Sequence, residues 1–389
     1  MTSSPGGQKQ EQLPAEDDAT EVAPGVVRIQ LPIMLPGLGH VNCYVLEDAA
    51  GLTLVDPGLP GPESSDELAR RLRRAGLPPE RVHTVLVTHS HPDHFGGAGR
   101  LHAEHGCDIV AHDRFVTPFE QAPATPAGVT ALDGDLDELV DLHQTEPTRA
   151  TTLREVLFGE GPLPEISPRI TPWGGEGFRP SDAELEHMRA WDDLSKQGLL
   201  SLTPTRRVHD EQVITLGDTE WIVVHTPGHT GDHICLFDPE HGTLLSGDHV
   251  LPTITPHISG MAPPGHEPPT DSLADFFAGL HRVAEIEGVR TVLPAHGLPF
   301  DDLAGRVDDI VVHHEQRLTT LVGIADDLGE DDVRAYSQQL FRERSWGPMA
   351  ESETYAHLEH LRLSGQVAAR RGEDGMVRYR PVAESVAAG

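Results

Sequence analysis

Residues 88–94 read THSHPDH and directly follow an apolar, strand-like run. Side chains alternate along extended backbone, so we expect His89, His91 and Asp93 to project to one side while His94 begins the next turn. Imidazole and carboxylate groups suit a borderline cation such as zinc, and these four side chains are more than one metal ion takes from one loop. The heptapeptide therefore predicts a centre for two metal ions at the end of a strand.

Three further donors stand where other strand-like runs end. They are His229 in TPGHT (226–230), Asp248 in SGD (246–248) and His296 in PAHG (294–297). Small residues stand beside each donor and allow sharp turns and close approach of the backbone to a site. A single histidine next to glycine is weak evidence, but several separate strand ends that present such groups predict one shared metal centre.

Strand-like and helical runs alternate in two parts of the chain, and this pattern predicts an α/β layered domain over residues 25–306. Residues 1–24 are polar and lack periodicity, so we expect a disordered leader. Residues 113–206 carry mainly helix signals, including a capping box at Ser181 and Glu184, and predict a helical insertion or lid. Within that insertion, WGGEGF (173–178) favours core packing over a mobile lid.

The last part of the chain, residues 307–383, has the pattern of a winged helix. Three helical runs precede two strand-like runs, and the connection between those runs contains Asp374-Gly375, a hairpin signal. Such units commonly bind DNA, but residues 331–380 carry eight arginines and eight acidic residues and therefore have no net positive charge. A structural role or formation of a homodimer is favoured over DNA recognition.

Composition excludes several classes of partner. The formal net charge is −33, from 62 acidic and 29 basic residues. A surface this negative repels phosphate backbones and anionic lipids, so general binding to nucleic acid or membrane surfaces is disfavoured. No apolar run reaches the roughly 18–20 residues of a membrane span, and the N-terminal part has no apolar signal segment. The three cysteines form no CxxC pair, and we expect a cytoplasmic protein without disulfides.

The run His89-x-His91-x-Asp93-His94, with Asp56 before it and His229, Asp248 and His296 after it, resembles the ordered motifs of the metallo-β-lactamase superfamily. The resemblance implies an αββα sandwich that holds two zinc ions at the sheet edge. It implies that His89, His91 and His229 bind one zinc and that Asp93, His94 and His296 bind the other. Asp248 would bridge the two ions opposite a shared hydroxide. Asp56 would support the ligands from behind, although an Asp before Pro57-Gly58 is also an ordinary turn residue.

Two positions separate this sequence from other branches of the superfamily. His91 stands where flavodiiron-type relatives carry Glu, which favours zinc over a redox di-iron site. Asp248 stands where the best-known antibiotic-degrading class carries Cys, so penicillin hydrolysis does not follow. The C-terminal pattern around His313-His314 and His357 resembles the lactamase-β-like-2 branch, whose members include an endoribonuclease and acyl-carrier-protein thioesterases.

The predicted function is a binuclear zinc hydrolase that attacks an acyl thioester, ester or lactone with a metal-bridging hydroxide. Asp93 is the candidate catalytic residue, because a carboxylate that holds zinc with one oxygen can orient the hydroxide and move a proton with the other. The acidic surface and the large insertion favour a small-molecule acyl substrate. A phosphodiesterase or single-strand endoribonuclease is the alternative, and a ligand-sensing DNA-binding regulator is the second. His233 and His249 adjoin the motif loops and are candidates for substrate contact.

Overall fold

The computed structural model describes residues 9–35, 37–117, 171–174, 194, 197–261 and 270–382. Most of the predicted insertion over 113–206, including the capping box at Ser181 and Glu184, lies outside the described residues, as do residues 1–8 of the predicted leader. Two sheets, the helices on their outer faces and a C-terminal unit make up the described part. None of the described helices is long and apolar enough to cross a membrane.

The first sheet has seven strands that lie side by side in chain order. They are β1 (Thr20–Ala23), β2 (Val26–Leu35), β3 (Leu38–Glu47), β4 (Leu52–Val55), β5 (Val82–Leu86), β6 (Asp108–His112) and β7 (Arg206–Val208). Strands β1 to β4 are antiparallel neighbours, whereas β4 to β7 run parallel. Parallel neighbours need crossover connections. Helix α1 (Pro62–Arg74) lies between β4 and β5, and helices α2 (Pro92–Phe95) and α3 (Ala98–His105) lie between β5 and β6.

The second sheet has five strands in the order β12-β11-β10-β9-β8. They are β8 (Val213–Leu216), β9 (Thr219–His225), β10 (Ile234–Asp238), β11 (Thr243–Gly247) and β12 (Thr291–Pro294). Only the pair of β11 and β12 is parallel among these described strands, and helix α4 (Ser272–Ala284) supplies its crossover. Asp271 caps the N-terminus of this helix, because its carboxylate accepts a hydrogen bond from the Ala274 N–H.

The two sheets pack face to face through a core to which both contribute, including Leu86 of β5 and Trp221 of β9. On the far side of the first sheet, Leu68 and Leu72 of α1 complete a second core. On the far side of the second sheet, Phe276 of α4 does the same. Strands β4, β10 and β11 are buried along their whole length, and such strands form apolar runs that the sequence pattern predicts.

The prediction of a disordered leader over residues 1–24 is wrong for residues 9–24. Strand β1 pairs with β2, and the side chain of Glu11 is completely buried. Acidic residues in this segment contribute to a composition typical of disorder, yet Asp17 forms ion pairs with Arg70, Arg71 and Arg74 of α1. These ion pairs and the strand hydrogen bonds hold residues 9–24 against the first sheet and its helix.

The C-terminal unit begins with helix α5 (Leu303–Leu328). Its other elements are α6 (Val333–Leu340), α7 (Pro348–Leu363), β13 (Asp331–Asp332), β14 (Val367–Arg371) and β15 (Val377–Pro381), and the three strands form a small sheet. The three predicted helices and the hairpin are thus present in order, and the winged-helix assignment stays a prediction. Helix α5 joins two cores, because Val307 packs beneath the second sheet while Leu321 packs inside the C-terminal unit.

Residues 171–174 of the predicted insertion contact the C-terminal unit. Trp173 is buried in the core of that unit, and its ring centroid lies 5.1 Å from that of Tyr355. Its carbonyl oxygen accepts a hydrogen bond of 2.8 Å from the Val377 N–H. The expected core packing of Trp173 is confirmed, and the core that it joins is the C-terminal one.

Candidate metal centre

The predicted ligand loop leaves strand β5 and enters helix α2. His89 and His94 are completely buried, and Asp93 is 5% exposed. Pro92 is the first residue of the helix, a position that its fixed φ angle favours. The turn therefore begins before Asp93 and not at His94. As a result, the Asp93 carboxylate lies beside His94 and does not project with His89 and His91 as the sequence predicts.

Seven side chains from four loops meet at this sheet edge in two groups. One group is His89, His91, His229 and Asp248, and the other is Asp93, His94 and His296, with the ligand atoms of each group within 4.8 Å of one another. Asp248 contacts both groups, because its Oδ2 lies 3.4 Å from His229 Nε2 and its Oδ1 lies 3.3 Å from His296 Nε2. All seven predicted ligands are therefore brought together, and their assignment to zinc stays a prediction.

Several buried polar atoms of the site have no hydrogen-bond partner among the described residues. They are Nε2 of His94, His229 and His296, and Oδ1 of Asp248. The other ring nitrogen of each histidine donates to an oxygen: His94 Nδ1 to Asp56 Oδ2 (2.9 Å), His229 Nδ1 to the His257 carbonyl (2.7 Å) and His296 Nδ1 to the His40 carbonyl (2.6 Å). In a neutral ring, donation at Nδ1 leaves Nε2 with a lone pair, which is how metal-ligating histidines are held.

His89 is fixed in the same way. The Thr88 hydroxyl donates to Asp56 Oδ2, so its oxygen accepts from His89 Nδ1 at 3.1 Å. The lone pair of His89 Nε2 then faces His91 Nδ1 at 3.1 Å. The nitrogens of His89 and His91 converge with the Asp248 carboxylate, and such a set of donors fits a borderline divalent cation.

Burial and the neighbouring charges shift the pKa values of the site residues in both directions. Burial, aided by the charges of His94 and His91, holds the pKa of His89 well below its ordinary value. Burial opposes the charged form of Asp248, but His296 and His94 outweigh it and keep the pKa of this carboxyl well below its usual range. The carboxylates of Asp93 and Asp248 in turn outweigh burial at His94, whose pKa lies well above its ordinary value, and they also raise the pKa of His296. Because neutral imidazoles and ionised carboxylates are the forms that bind a metal ion, a bound cation would take the place of the protons on these two rings.

Asp56 lies directly behind the ligands, at the end of β4 beside the end of β5. Its carboxylate accepts hydrogen bonds from the Thr88 N–H (2.8 Å) and the Thr88 hydroxyl (2.7 Å), besides the one from His94. The residue has a positive φ of 55°, which Asp adopts more readily than most residues. Both interpretations of Asp56 therefore hold, since it occupies a turn and also orients a predicted ligand.

His233 and His249 are completely buried, and their contact with substrate stays a prediction. His233 Nε2 accepts a hydrogen bond of 3.0 Å from the backbone N–H of Asp248, and its Nδ1 lies 2.8 Å from Thr226 Oγ1. The ring therefore fixes the backbone of the residue that lies between the two groups. His249 packs against the ring of Phe276, with a centroid distance of 4.9 Å.

Glycines stand where the backbone passes close to other groups of the site. Gly247 has a φ of 51°, and a Cβ atom there would lie 2.6 Å from His233 Nε2. A Cβ atom on Gly228 would lie 2.6 Å from Phe276 Cα. The small residues beside the predicted donors thus serve the close approach that the sequence predicts.

The sequence did not identify His40 and Glu11, whose side chains accept hydrogen bonds from the backbone of two loops of the site. His40 Nε2 accepts from the Gly297 N–H at 3.0 Å, while the His40 carbonyl accepts from His296. Glu11 Oε1 accepts from the backbone N–H groups of Thr253 (2.6 Å) and Ile254 (3.1 Å) in the loop after Asp248. Neither residue lies near the motifs in sequence, and only the fold brings them to the site.

A third group of ligand-type side chains, His314, Glu353 and His357, lies between α5 and α7. Hydrogen bonds within the group account for the proximity of these side chains. His357 Nδ1 donates to the Glu353 carbonyl (2.7 Å), and His314 Nδ1 donates to His357 Nε2 (3.0 Å). The Glu353 carboxylate forms an ion pair with Arg317, whose charge opposes a metal cation at the same oxygens. We assign this group a structural role.

Known proteins share the fold and much of the length of this chain. The probable metallo-hydrolase YqjP of Bacillus subtilis is 23% identical over 347 residues, which are 86% of this chain and 92% of that protein. A beta-lactamase-like protein 2 homolog of Drosophila melanogaster is 22% identical over 346 residues, 87% of each chain. An atrochrysone carboxyl ACP thioesterase of Cryptosporiopsis sp. is 29% identical over 172 residues, 43% of this chain and 48% of that protein.

Among solved structures, a metallo-beta-lactamase family protein from Thermus thermophilus has a TM-score of 0.66 and 25% identity, and the match covers 93% of this chain and 100% of that chain. The sequence profile of the Metallo-beta-lactamase superfamily matches residues 36–296, a range that contains every predicted metal ligand and Asp56. A profile match over this length, together with the two ligand groups, establishes the family. The chain belongs to the metallo-β-lactamase superfamily.

Proposed function

We propose that this protein is a binuclear zinc hydrolase that cleaves an acyl thioester, ester or lactone. The observation that carries the proposal is the position of Asp248 between two groups of ligand-type side chains whose buried atoms lack partners among the described residues. When bound, two zinc ions would polarise the substrate oxygen and lower the pKa of a water molecule towards neutrality.

Each ligand group would hold one ion. His89, His91 and His229 would bind the first, and Asp93, His94 and His296 the second. Asp248 lies between the groups, because its Oδ2 faces both His229 Nε2 and His94 Nε2 and its Oδ1 faces His296 Nε2. Asp93 Oδ2 lies 3.5 Å from both His94 Nε2 and His296 Nε2, which supports a role for this oxygen as the ligand atom. We propose that Asp93 Oδ1 orients the attacking water and carries its proton to the leaving group.

Two observations favour an acyl substrate over a polyanion. The net charge of −33 repels phosphate backbones. Among the relatives above, the Cryptosporiopsis protein is named as an acyl-carrier-protein thioesterase, and it matches 43% of this chain. A thiolate also leaves without much help from an acid, so a site that relies on one carboxylate for proton transfer suits a thioester.

Hydrolysis assays on the zinc-loaded protein test the proposal. We expect turnover of acyl-CoA thioesters, aryl esters or lactones by the wild-type protein and its loss in His91→Ala. His209→Ala is the matched control, because the His209 side chain is 67% exposed and hydrogen-bonds to Asp113 instead of joining the site. Equal turnover by His91→Ala and wild type would refute the metal-dependent mechanism.

The same preparations address the two alternative functions. A labelled single-stranded RNA at low salt tests the endoribonuclease, and a gel shift with DNA fragments tests the regulator. Arg370 and Arg378 of the predicted wing are paired with Glu330 and Asp374, whereas Arg371 and Arg380 hydrogen-bond to backbone carbonyls, and the gel shift tests whether these two bind DNA. RNA cleavage without acyl hydrolysis would replace the proposed substrate class while leaving the metal centre in place.

A further inference from the structure

We propose that Glu353 of the C-terminal unit is a positioning residue for the predicted metal ligand His229 and that it acts through His257. The C-terminal unit would thereby help to orient a ligand of the metal centre, which lies outside that unit. It rests on the proposed metal centre and is independent of the substrate class.

His229 contacts the loop that follows Asp248. His229 Nδ1 donates a hydrogen bond of 2.7 Å to the backbone carbonyl of His257. This bond fixes the tautomer and the orientation of the ring, so that Nε2 faces Asp248 Oδ2 at 3.4 Å. A shift of the His257 carbonyl would therefore turn or release one of the predicted zinc ligands.

His257 is attached to helix α7. His257 Nδ1 lies 3.4 Å from Glu353 Oε2. Two residues further along the loop, the hydroxyl groups of Ser259 and Ser352 lie 2.9 Å apart. Next comes Gly260, where a Cβ atom would lie 2.6 Å from Cδ1 of Tyr355. Contacts of His257, Ser259 and Gly260 thus attach this part of the loop to α7.

Glu353 is itself held in place. Its Oε1 forms an ion pair with Arg317 of α5, and the two side chains are only 13% and 18% exposed. The Arg317 guanidinium lies 4.9 Å above the ring of Phe341. A carboxylate fixed by a largely buried partner of opposite charge is a rigid anchor for the His257 ring.

The earlier part of the loop has other anchors. Glu11 accepts from the N–H groups of Thr253 and Ile254, and Arg306 donates to the carbonyls of Leu251 and Ile254 at 2.6 Å each. These contacts hold residues 251–254 and reach neither His257 nor Ser259. Ile258 is completely buried in the core beneath the second sheet, so the segment that supports His229 has an apolar anchor as well as its contacts with α7. Glu353 is the residue of α7 that reaches the His257 ring.

The experiment measures metal affinity without substrate. The wild-type protein, Glu353→Ala and His257→Ala are stripped of metal and titrated with Zn²⁺ against a chromophoric chelator. We expect one of the two dissociation constants to rise about tenfold in each variant, a size typical for loss of a partner behind a metal-ligating histidine, and the other to stay within about twofold. Glu359→Ala is the matched control, because Glu359 lies on the same helix and binds Arg362 and Tyr379 instead of the loop.

A double variant shows whether the two residues act in one path. If Glu353 works through His257, Glu353→Ala/His257→Ala loses no more zinc affinity than either single variant. Zinc affinity unchanged in His257→Ala, or losses that multiply in the double variant, would overturn the proposal. Melting curves of the metal-free proteins report stability, and His257→Ala leaves the Arg317 ion pair intact should Glu353→Ala prove unstable. A wild-type protein that binds no zinc would instead contradict the proposed metal centre.

Discussion

Asp56 Oδ2 accepts a hydrogen bond of 2.9 Å from His94 Nδ1, with both side chains almost completely buried. This contact joins the end of β4 to the ligand loop after β5. It also leaves His94 Nε2 facing Asp248 Oδ2 at 3.7 Å. The orientation of a predicted ligand of the second metal ion is therefore set by a carboxylate that is not itself a member of either ligand group.

Replacement of Asp56 tests this orientation. In Asp56→Asn the amide cannot accept from the Thr88 N–H, the Thr88 hydroxyl and His94 at once, while Asn still tolerates the positive φ. We expect affinity for the second zinc ion to fall about 10- to 100-fold, measured by chelator competition. Asp113→Asn, an exchange at a more exposed carboxylate, is the control. Two unchanged dissociation constants in Asp56→Asn would show that the contact does not orient His94 for metal.

Gly247 tests the close approach beside Asp248. Alanine there combines a φ of 51° with a Cβ atom 2.6 Å from His233 Nε2. We expect Gly247→Ala to lower the free energy of unfolding by about 1–3 kcal/mol, measured by urea denaturation of the metal-free protein. Gly323→Ala on α5 meets nothing within 4 Å and should instead raise it by about 0.5–1 kcal/mol. Equal stability of the two variants would be inconsistent with the described backbone.

The buried histidine pair of the C-terminal unit predicts a loss of stability in acid. Burial, helped by His357, lowers the pKa of His314 to about 2. An unfolded histidine takes up its proton near pH 6.5, so between these values the unfolded state binds more protons and the free energy of unfolding falls as the pH falls. For this group the slope is at most about 1.4 kcal/mol per pH unit.

His314→Leu should therefore show a shallower decline of the unfolding free energy below pH 6.5 than the wild-type protein, both measured without metal. His209→Leu, at an exposed position, should follow the wild-type curve. Parallel curves for His314→Leu and wild type would mean that His314 is not held neutral in the fold.

Replacement of Glu11 tests whether the N-terminal segment is attached to the loop that follows Asp248. In Glu11→Ala the N–H groups of Thr253 and Ile254 lose a completely buried acceptor, so we expect the free energy of unfolding to fall by about 1–3 kcal/mol. Glu21→Ala removes an exposed carboxylate that also accepts from a backbone N–H, that of Gly25, and should change it by less than about 0.5 kcal/mol. A Glu11→Ala protein as stable as Glu21→Ala would indicate that residues 9–18 are not fastened to the site.

The parts of the site that are close in sequence, or that repeat a strand-then-donor pattern, could be predicted. His89, His91, Asp93 and His94 are recognisable by their spacing, and His229 by its place after a strand. Residues that act through tertiary contacts could not be predicted, because nothing in the local sequence relates His257 to Glu353. The prediction of a disordered leader fails for a similar reason: its composition is that of a disordered chain, and the arginines that pair with Asp17 lie on α1, more than 50 positions away.

The number and kind of metal ions per chain test the central claim most directly. Elemental analysis of the purified, zinc-reconstituted protein after dialysis should give about two zinc ions per wild-type chain and about one in His91→Ala, in which the first ligand group loses a donor. Iron bound in preference to zinc, or a wild-type chain that retains one ion or none, would contradict the binuclear zinc centre.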